Sequence, residues 1–518
     1  MKLRYKLSGM FAITVMTLLS SCIDDSSNYG GMPVPELKVI TNEPDPDKLP
    51  IVNFNYGEDC VIDPKINYNG TGKLEYEWSV GTLNNGVKGE LEYVGSEPVL
   101  NYFFHQGGSY YAHLKVTDGV VGAVQDYQVN INRSFEQGYL IVSNDANNIG
   151  NLAFIKDITP EDKEAGITSL VMEHCLERVN ENFTPENIAG ATMMRLSWPS
   201  SITRILVSCG SKSMFIDPNT FISIATIDHQ SVIPGFKADM LVGGSNALAY
   251  DSKMRRFITL RGEDMLGIVS SEERGTFDTF FYGTYYAWGT QYYHNFFVNR
   301  SPLNVFHMGY GGQINCNELV DNNGTPIFEN QELVSVFMGE TEEVYDEYYD
   351  YWYDIYPTHI ITRDLTDGKY YHVKLSGFSP NDSEILFYSR IEIPCNSLTA
   401  IPATEGPTAV SETYHRTYYS NGNNVYVMLV NETGIALPST SQAALTFPAD
   451  EEVTFMTINT SNDDLLVATA NKNTGRGNVY IYESANVRTD MPGAKAKAEY
   501  KDCADRISNI FYKPRVAN

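Results

Sequence analysis

Basic residues are scarce in this 518-residue chain, where 37 Lys and Arg stand against 64 Asp and Glu for a net charge of -27. That imbalance repels a phosphate backbone or an anionic membrane surface, so nucleic acid is excluded as a partner. Strong helix formers are few beside 35 Tyr, 24 Phe and 40 Gly, which excludes a helix-rich protein and favours an all-β secreted one. Cys60, Cys175, Cys209, Cys316, Cys395 and Cys503 are widely separated, with no C-x-x-C and no Cys/His ligand spacing. A zinc site is therefore not expected, and no disulfide pairing is assigned. A G-x-S-x-G elbow, an H-E-x-x-H pair, a Walker loop and a Rossmann glycine string are all missing. Only nine histidines are present, none in helical i, i+4 pairing with another ligand type, so structural or surface roles are expected for them. Together these absences favour a non-catalytic protein with no metal and no cofactor.

The N-terminus, by contrast, is informative. Lys2, Arg4 and Lys6 precede a mostly apolar stretch from Leu7 to Leu19, the n-region and h-region of a secretory signal. The stretch is too short to span a bilayer. Cys22 follows the small residues Ser20 and Ser21, an arrangement that resembles the bacterial lipobox. Residues 1–21 are thus expected to be a signal peptide, with Cys22 lipidated and the chain anchored by its acyl groups. The acidic pair Asp24-Asp25 just behind it resembles the export tag of surface lipoproteins of the Bacteroidetes. Residues 22–35, rich in Asp, Ser, Asn, Gly and Pro, cannot build a core and read as a flexible tether.

Two β-patterns follow. Over residues 36–133 apolar and polar residues alternate, as in Leu74-Glu75-Tyr76-Glu77-Trp78-Ser79-Val80 and Tyr110-Tyr111-Ala112-His113-Leu114-Lys115-Val116, predicting a sandwich with Trp78 buried between its sheets. Asp118-Gly119 supplies the turn of the closing hairpin. Over residues 138–518 short apolar runs recur at intervals of about 30 to 55 residues with Asn/Asp/Gly turns between them, the pattern of radial repetition in a β-propeller. About four strands and 50 residues per blade give about seven blades. A propeller must close its ring, and Gly138-Tyr139-Leu140-Ile141-Val142 is expected to pair with the C-terminal run Arg506–Lys513.

The Y-x-W-x strand at Tyr76–Ser79 and the G-x-Y-x-x-x-L-x-V-T-D run ending at Asp118 resemble the PKD domain, an immunoglobulin-like module. With the lipobox and the propeller pattern, the chain resembles the PKD-like family lipoproteins of Bacteroidetes. That resemblance implies an outer-membrane lipoprotein facing the cell exterior, acting beside a TonB-dependent transporter complex in the capture of polysaccharide or peptide. It implies no catalytic residues.

Two aromatic clusters stand out in the second pattern. Phe277–Phe297 contains Tyr285, Trp288 and Tyr292, while Glu342–Tyr356 contains Tyr349, Trp352 and Tyr353 interleaved with acidic residues such as Asp350. Sugars present apolar faces edged with hydroxyls, so Trp and Tyr rings beside carboxylates suit a glycan-binding surface. These seven residues are the candidate ligand-binding set, with a protein interface or plain structure as alternatives. Asp145, Asp217, Asp251, Asp321 and Asp463 sit near turns and are expected to cap backbone. The runs Ser143–Asn148 and Thr460–Asp464 offer oxygen ligands but lack the spacing of a calcium loop. The competing readings are a propeller glycoside hydrolase or lyase, which needs two or three carboxylates in one pocket, and an assembly partner of the transporter.

Overall fold

A computed structural model describes residues 34–41, 43, 48–84, 86–105, 107–132, 135–164, 168–180, 183–196, 202–243, 246–269, 278–287, 290–308, 314–315, 319–321, 323–346, 351–378, 387–431, 433–459 and 461–516. Its contacts divide the chain into two compact units. The smaller comprises residues through Asn53, Asp59–Tyr102 and Ser109–Asn130; the larger comprises Phe54–Glu58, Phe103–Gly108 and Ile131–Asn518.

In the smaller unit the predicted alternation produces antiparallel strands. Glu75–Asn84 pairs with Gly108–Thr117, placing Trp78 opposite Leu114, and both are fully buried. The indole Nε1 donates to the Glu97 carbonyl at 3.0 Å, so its one polar group is satisfied. Burying a side chain of this size with its donor paired contributes roughly 3–5 kcal/mol against truncation to Ala. At the closing turn Asp118 Oδ1 accepts from the Val120 and Val121 N–H groups at 2.8 Å, and Gly119 takes a φ of 86°. Both residues of the predicted turn therefore perform the roles their chemistry suits.

Among the described residues of the larger unit, seven sheets follow one another along the chain. Their innermost strands are, in blade order, Arg506–Lys513, Ile188–Leu196, Met240–Val242, Thr279–Ala287, Gln331–Met338, Thr408–Ser411 and Glu451–Asn459. Arg506–Lys513 adjoins both Glu451–Asn459 and Ile188–Leu196, and the inner strands of blades 4 to 7 adjoin in sequence. This is a seven-bladed β-propeller, and the protein is all-β. Apolar clusters fill the spaces between successive blades, for example Leu206, Phe215, Ala247, Ala249 and Ile258 between blades 2 and 3. Nearly continuous burial along the second and third strands, such as Gly138–Asn144, reflects a sheet covered on both faces.

The turn from second to third strand repeats a chemical solution. Asp145, Asp251, Asp364 and Asn471 occupy this position in blades 1, 3, 5 and 7, each accepting from the backbone N–H two residues on at 2.8–3.0 Å. Those bonds, with Gln331 Nε2 donating at 2.7 Å, hold the Asp364 carboxyl at about 2. Asp217 and Asp321 cap turns the same way, accepting at 2.9 and 2.8 Å from Asn219 and Asn323.

Closure joins the two ends of the repeating region, as the sequence predicts. The inner strand of blade 1 is the C-terminal run, registered Gly138↔Lys513, Tyr139↔Tyr512, Leu140↔Phe511 and Ile141↔Ile510. Gly138 starts the pairing at φ 149°, and a Cβ there would lie 2.1 Å from the Ile155 carbonyl oxygen, so only glycine fits. Lys513 is fully buried, its ammonium donating to the Glu136 carbonyl at 2.6 Å, and burial pushes its pKa down to about 8.

Candidate functional site

The turn from inner to second strand is short in blades 3, 6 and 7, but in blades 4 and 5 the ladder is extended. In blade 4, Thr279–Ala287 pairs with Thr290–Arg300 along its whole length, whereas the third strand pairs only with Phe296–Arg300. Residues 279–295 thus include a stretch of ladder that runs on past the blade. Tyr285 and Tyr292 stand directly opposite in it, and Thr284 stands opposite Tyr293. In blade 5, the second strand Tyr351–Asp364 is unusually long. Its C-terminal half pairs with the inner strand, while Tyr351–Ile355 pairs instead with the added strand Glu342–Asp346.

Topology therefore brings together two segments that are about 60 residues apart along the chain, since inner strands run parallel around a propeller and their turns share one face. The inner strands of blades 4 and 5 adjoin, so the hairpins spring from neighbouring blades. Alternation of β-branched and aromatic residues suits both ladders.

Trp352 is 64% exposed and Tyr345, directly opposite in the register, is 42% exposed. Their ring centroids lie 5.3 Å apart with planes tilted by 49°. Large apolar rings on both strands of a projecting hairpin cannot be accounted for by core packing, since neither is buried. Acidic groups lie at the base: Glu343 is exposed, and Glu342 accepts from the Lys374 ammonium at 2.7 and 3.0 Å. Of the residues predicted from sequence, Trp352, Tyr353, Tyr285 and Tyr292 fall on these hairpins, while Cys22, Trp288, Tyr349 and Asp350 lie outside the described residues.

Among the described residues, two buried pairs resemble catalytic groups but are otherwise engaged. Ser213 Oγ lies 2.7 Å from His229 Nε2, which resembles a nucleophile and base, but His229 Nδ1 faces the Gly210 carbonyl at 2.9 Å and both side chains are wholly buried. With Nδ1–H donating, Nε2 accepts from the serine, and no substrate reaches the pair. His359 Nδ1 and His372 Nε2 lie 2.8 Å apart in stacked rings, buried in blade 5. Burial holds both imidazoles neutral, pushing His359 down to about 3 and His372 to about 4, with Lys374 adding to the effect.

Glu173, His174 and Asp505 bring three ligand-type side chains together on the opposite face. Arg476 occupies the carboxylates, donating to Glu173 at 2.7 Å and Asp505 at 3.0 Å, and Asn151 Nδ2 donates to both at 3.1 and 3.0 Å. The arrangement is an ion-pair clasp between blades 7 and 1. Asp463, expected to cap a turn, instead accepts from Ser411 Oγ at 2.9 Å and Ser484 Oγ at 2.5 Å, tying blade 6 to blade 7. It takes φ 56°, so its own backbone forms the turn and frees its carboxylate for this link.

No family model matches the chain, and no curated protein matches it. Among solved structures it is similar to a quinonprotein alcohol dehydrogenase-like protein from Bacteroides thetaiotaomicron, at 12% identity over 92% of this chain and 98% of that one, with a TM-score of 0.40. It is also similar to the dihydro-heme d1 dehydrogenase NirN, at 9% identity over 73% of this chain and 76% of that one, TM-score 0.33. An ACO/RPE65 chimera follows at 9% identity, covering 85% and 92%, TM-score 0.27.

Proposed function

We propose that this chain is a non-catalytic surface lipoprotein whose propeller captures a glycan, or another polymeric nutrient, as an accessory to an outer-membrane transporter. The observation that carries the reading is the exposed Tyr345–Trp352 pair on a hairpin beside a second tyrosine-rich hairpin. Rings held on a paired ladder are preorganised, so little conformational freedom is lost when they stack on a sugar face. A polymer spans several rings at once, which suits two neighbouring hairpins better than one deep pocket. The N-terminal signal, Cys22 and the acidic pair behind it support the anchored, outward-facing placement, with the sandwich as spacer.

The test is a binding and turnover screen of the full chain in detergent against polysaccharides and peptides. Binding without product is expected, weakened by at least tenfold in Trp352→Ala, a loss of about 1.4 kcal/mol or more. Release of product would establish the hydrolase or lyase reading instead. Anchoring has its own check: Cys22→Ala is expected to abolish incorporation of labelled fatty acid and to release the chain from the membrane fraction. Labelling that survives the substitution would contradict the lipidation assignment.

A further inference from the structure

Where the last blade meets the first, the apolar packing of Ile141, Ile155, Ile481, Ile507 and Ile510 opens, on the face that carries the hairpins, into a cavity of about 300 Å³. Three tyrosines wall it: Tyr139 from the second strand of blade 1, Tyr512 from the closing strand, and Tyr500 from the outer strand of blade 7. Polar groups edge those rings. Tyr512 donates its O–H to Asp157 Oδ2 at 2.9 Å, and Asn459 Nδ2 donates to the Tyr139 hydroxyl at 3.2 Å. Lys497 Nζ and Asn462 Nδ2 each donate to Asp464 Oδ2 at 2.8 Å. Both carboxylates and the ammonium have further hydrogen-bonding capacity, because a carboxylate offers about four lone-pair sites and an ammonium three protons.

The chemistry selects a ligand class. Asp157 and Asp464 outnumber Lys497, which disfavours an anion. An apolar ligand would strip water from three charged groups without replacing their hydrogen bonds. A hydroxylated ring satisfies both demands, laying its C–H faces on tyrosine and directing hydroxyls to carboxylates and ammonium. The volume sits at the bottom of the range of about 300–1,000 Å³ typical of small-molecule sites, which limits the guest to one ring. We infer that this interblade cavity binds a single uncharged pyranose. The inference rests on the capture reading for its ligand class and adds a subsite separate from the hairpins.

Saturation-transfer NMR on the full chain tests it, with methyl α-glucopyranoside, methyl α-galactopyranoside, methyl α-mannopyranoside and N-acetylglucosamine as probes. At least one is expected to bind at about millimolar strength or tighter and to weaken at least tenfold in Tyr500→Ala and Asp157→Asn. Asp157→Asn keeps an oxygen for the Tyr512 hydroxyl and decides the matter if Tyr500→Ala fails to fold. No transfer to any probe overturns the inference, as does binding that both cavity variants leave intact. Loss in Trp352→Ala alone would place the sugar on the hairpin, overturning the cavity while upholding the capture reading. Probe binding lost in the cavity variants, in a chain that binds no polysaccharide, would uphold the cavity and overturn that reading.

Discussion

Deletion of residues 506–518 is expected to leave the propeller unable to close, giving a chain without a cooperative unfolding transition for its larger unit. The strand lost is the innermost one of blade 1, touching the inner strands of both neighbours. Its removal would expose the apolar side chains it covers and leave the backbone groups of Gly138–Asn144 unpaired along one edge. Ile507 and Ile510 are 1% and 2% exposed, and burial of each contributes about 2–3 kcal/mol. With the unmade backbone bonds, the total approaches the roughly 5–15 kcal/mol that separates a folded domain from its unfolded chain. A milder variant grades the effect: Ile510→Ala is expected to cost about 2–5 kcal/mol. Calorimetry distinguishes the outcomes, since a truncated chain melting within a few degrees of the intact one would show that closure is dispensable.

The second large effect is on pH. His359 and His372 are neutral in the folded protein, with pKa values near 3 and 4, whereas an unfolded imidazole titrates near 6.5. Between those values the unfolded chain binds protons that the folded one does not, so stability is full above about pH 6.5 and falls as pH drops below it. Each group contributes a slope of up to about 1.4 kcal/mol per pH unit, giving roughly 3–5 kcal/mol lost between about pH 6.5 and 4.5. Lys374 on the adjoining strand adds positive charge, while Glu342 holds that ammonium and limits its effect. Denaturant unfolding across this range should show the slope, and His359→Phe/His372→Phe should flatten it by half or more whatever its midpoint stability. An unchanged slope in the double variant would mean that other groups carry the acid sensitivity.

Much of this architecture is legible in the sequence, because period-two runs and Asx turns are local signals. The closing pair is legible too: two apolar strands at the ends of a repeating region have no other partner in a ring. In the sequence the hairpins show only as aromatic composition. Their form depends on how far each ladder runs past its blade, a matter of pairing register that composition does not encode. The cavity between blades 7 and 1 has no local signal in the sequence, because Tyr139 and Asp157 meet Asn459, Asp464, Tyr500 and Tyr512 only through closure. Tyr139 stands opposite Tyr512 in the closing pair, so the predicted pairing carries the signal for those two rings. Asp463 departs from the expected cap because nothing local marks the serines from blade 6 and blade 7 that claim a carboxylate which would ordinarily cap its own loop.

The measurement that bears most directly on the capture surface is oxidative footprinting of tyrosine and tryptophan in the full chain, with and without a polysaccharide it binds. Protection of the hairpins of residues 279–295 and 342–356 is the expected result. Protection elsewhere, with both hairpins fully reactive in the bound state, would contradict the account.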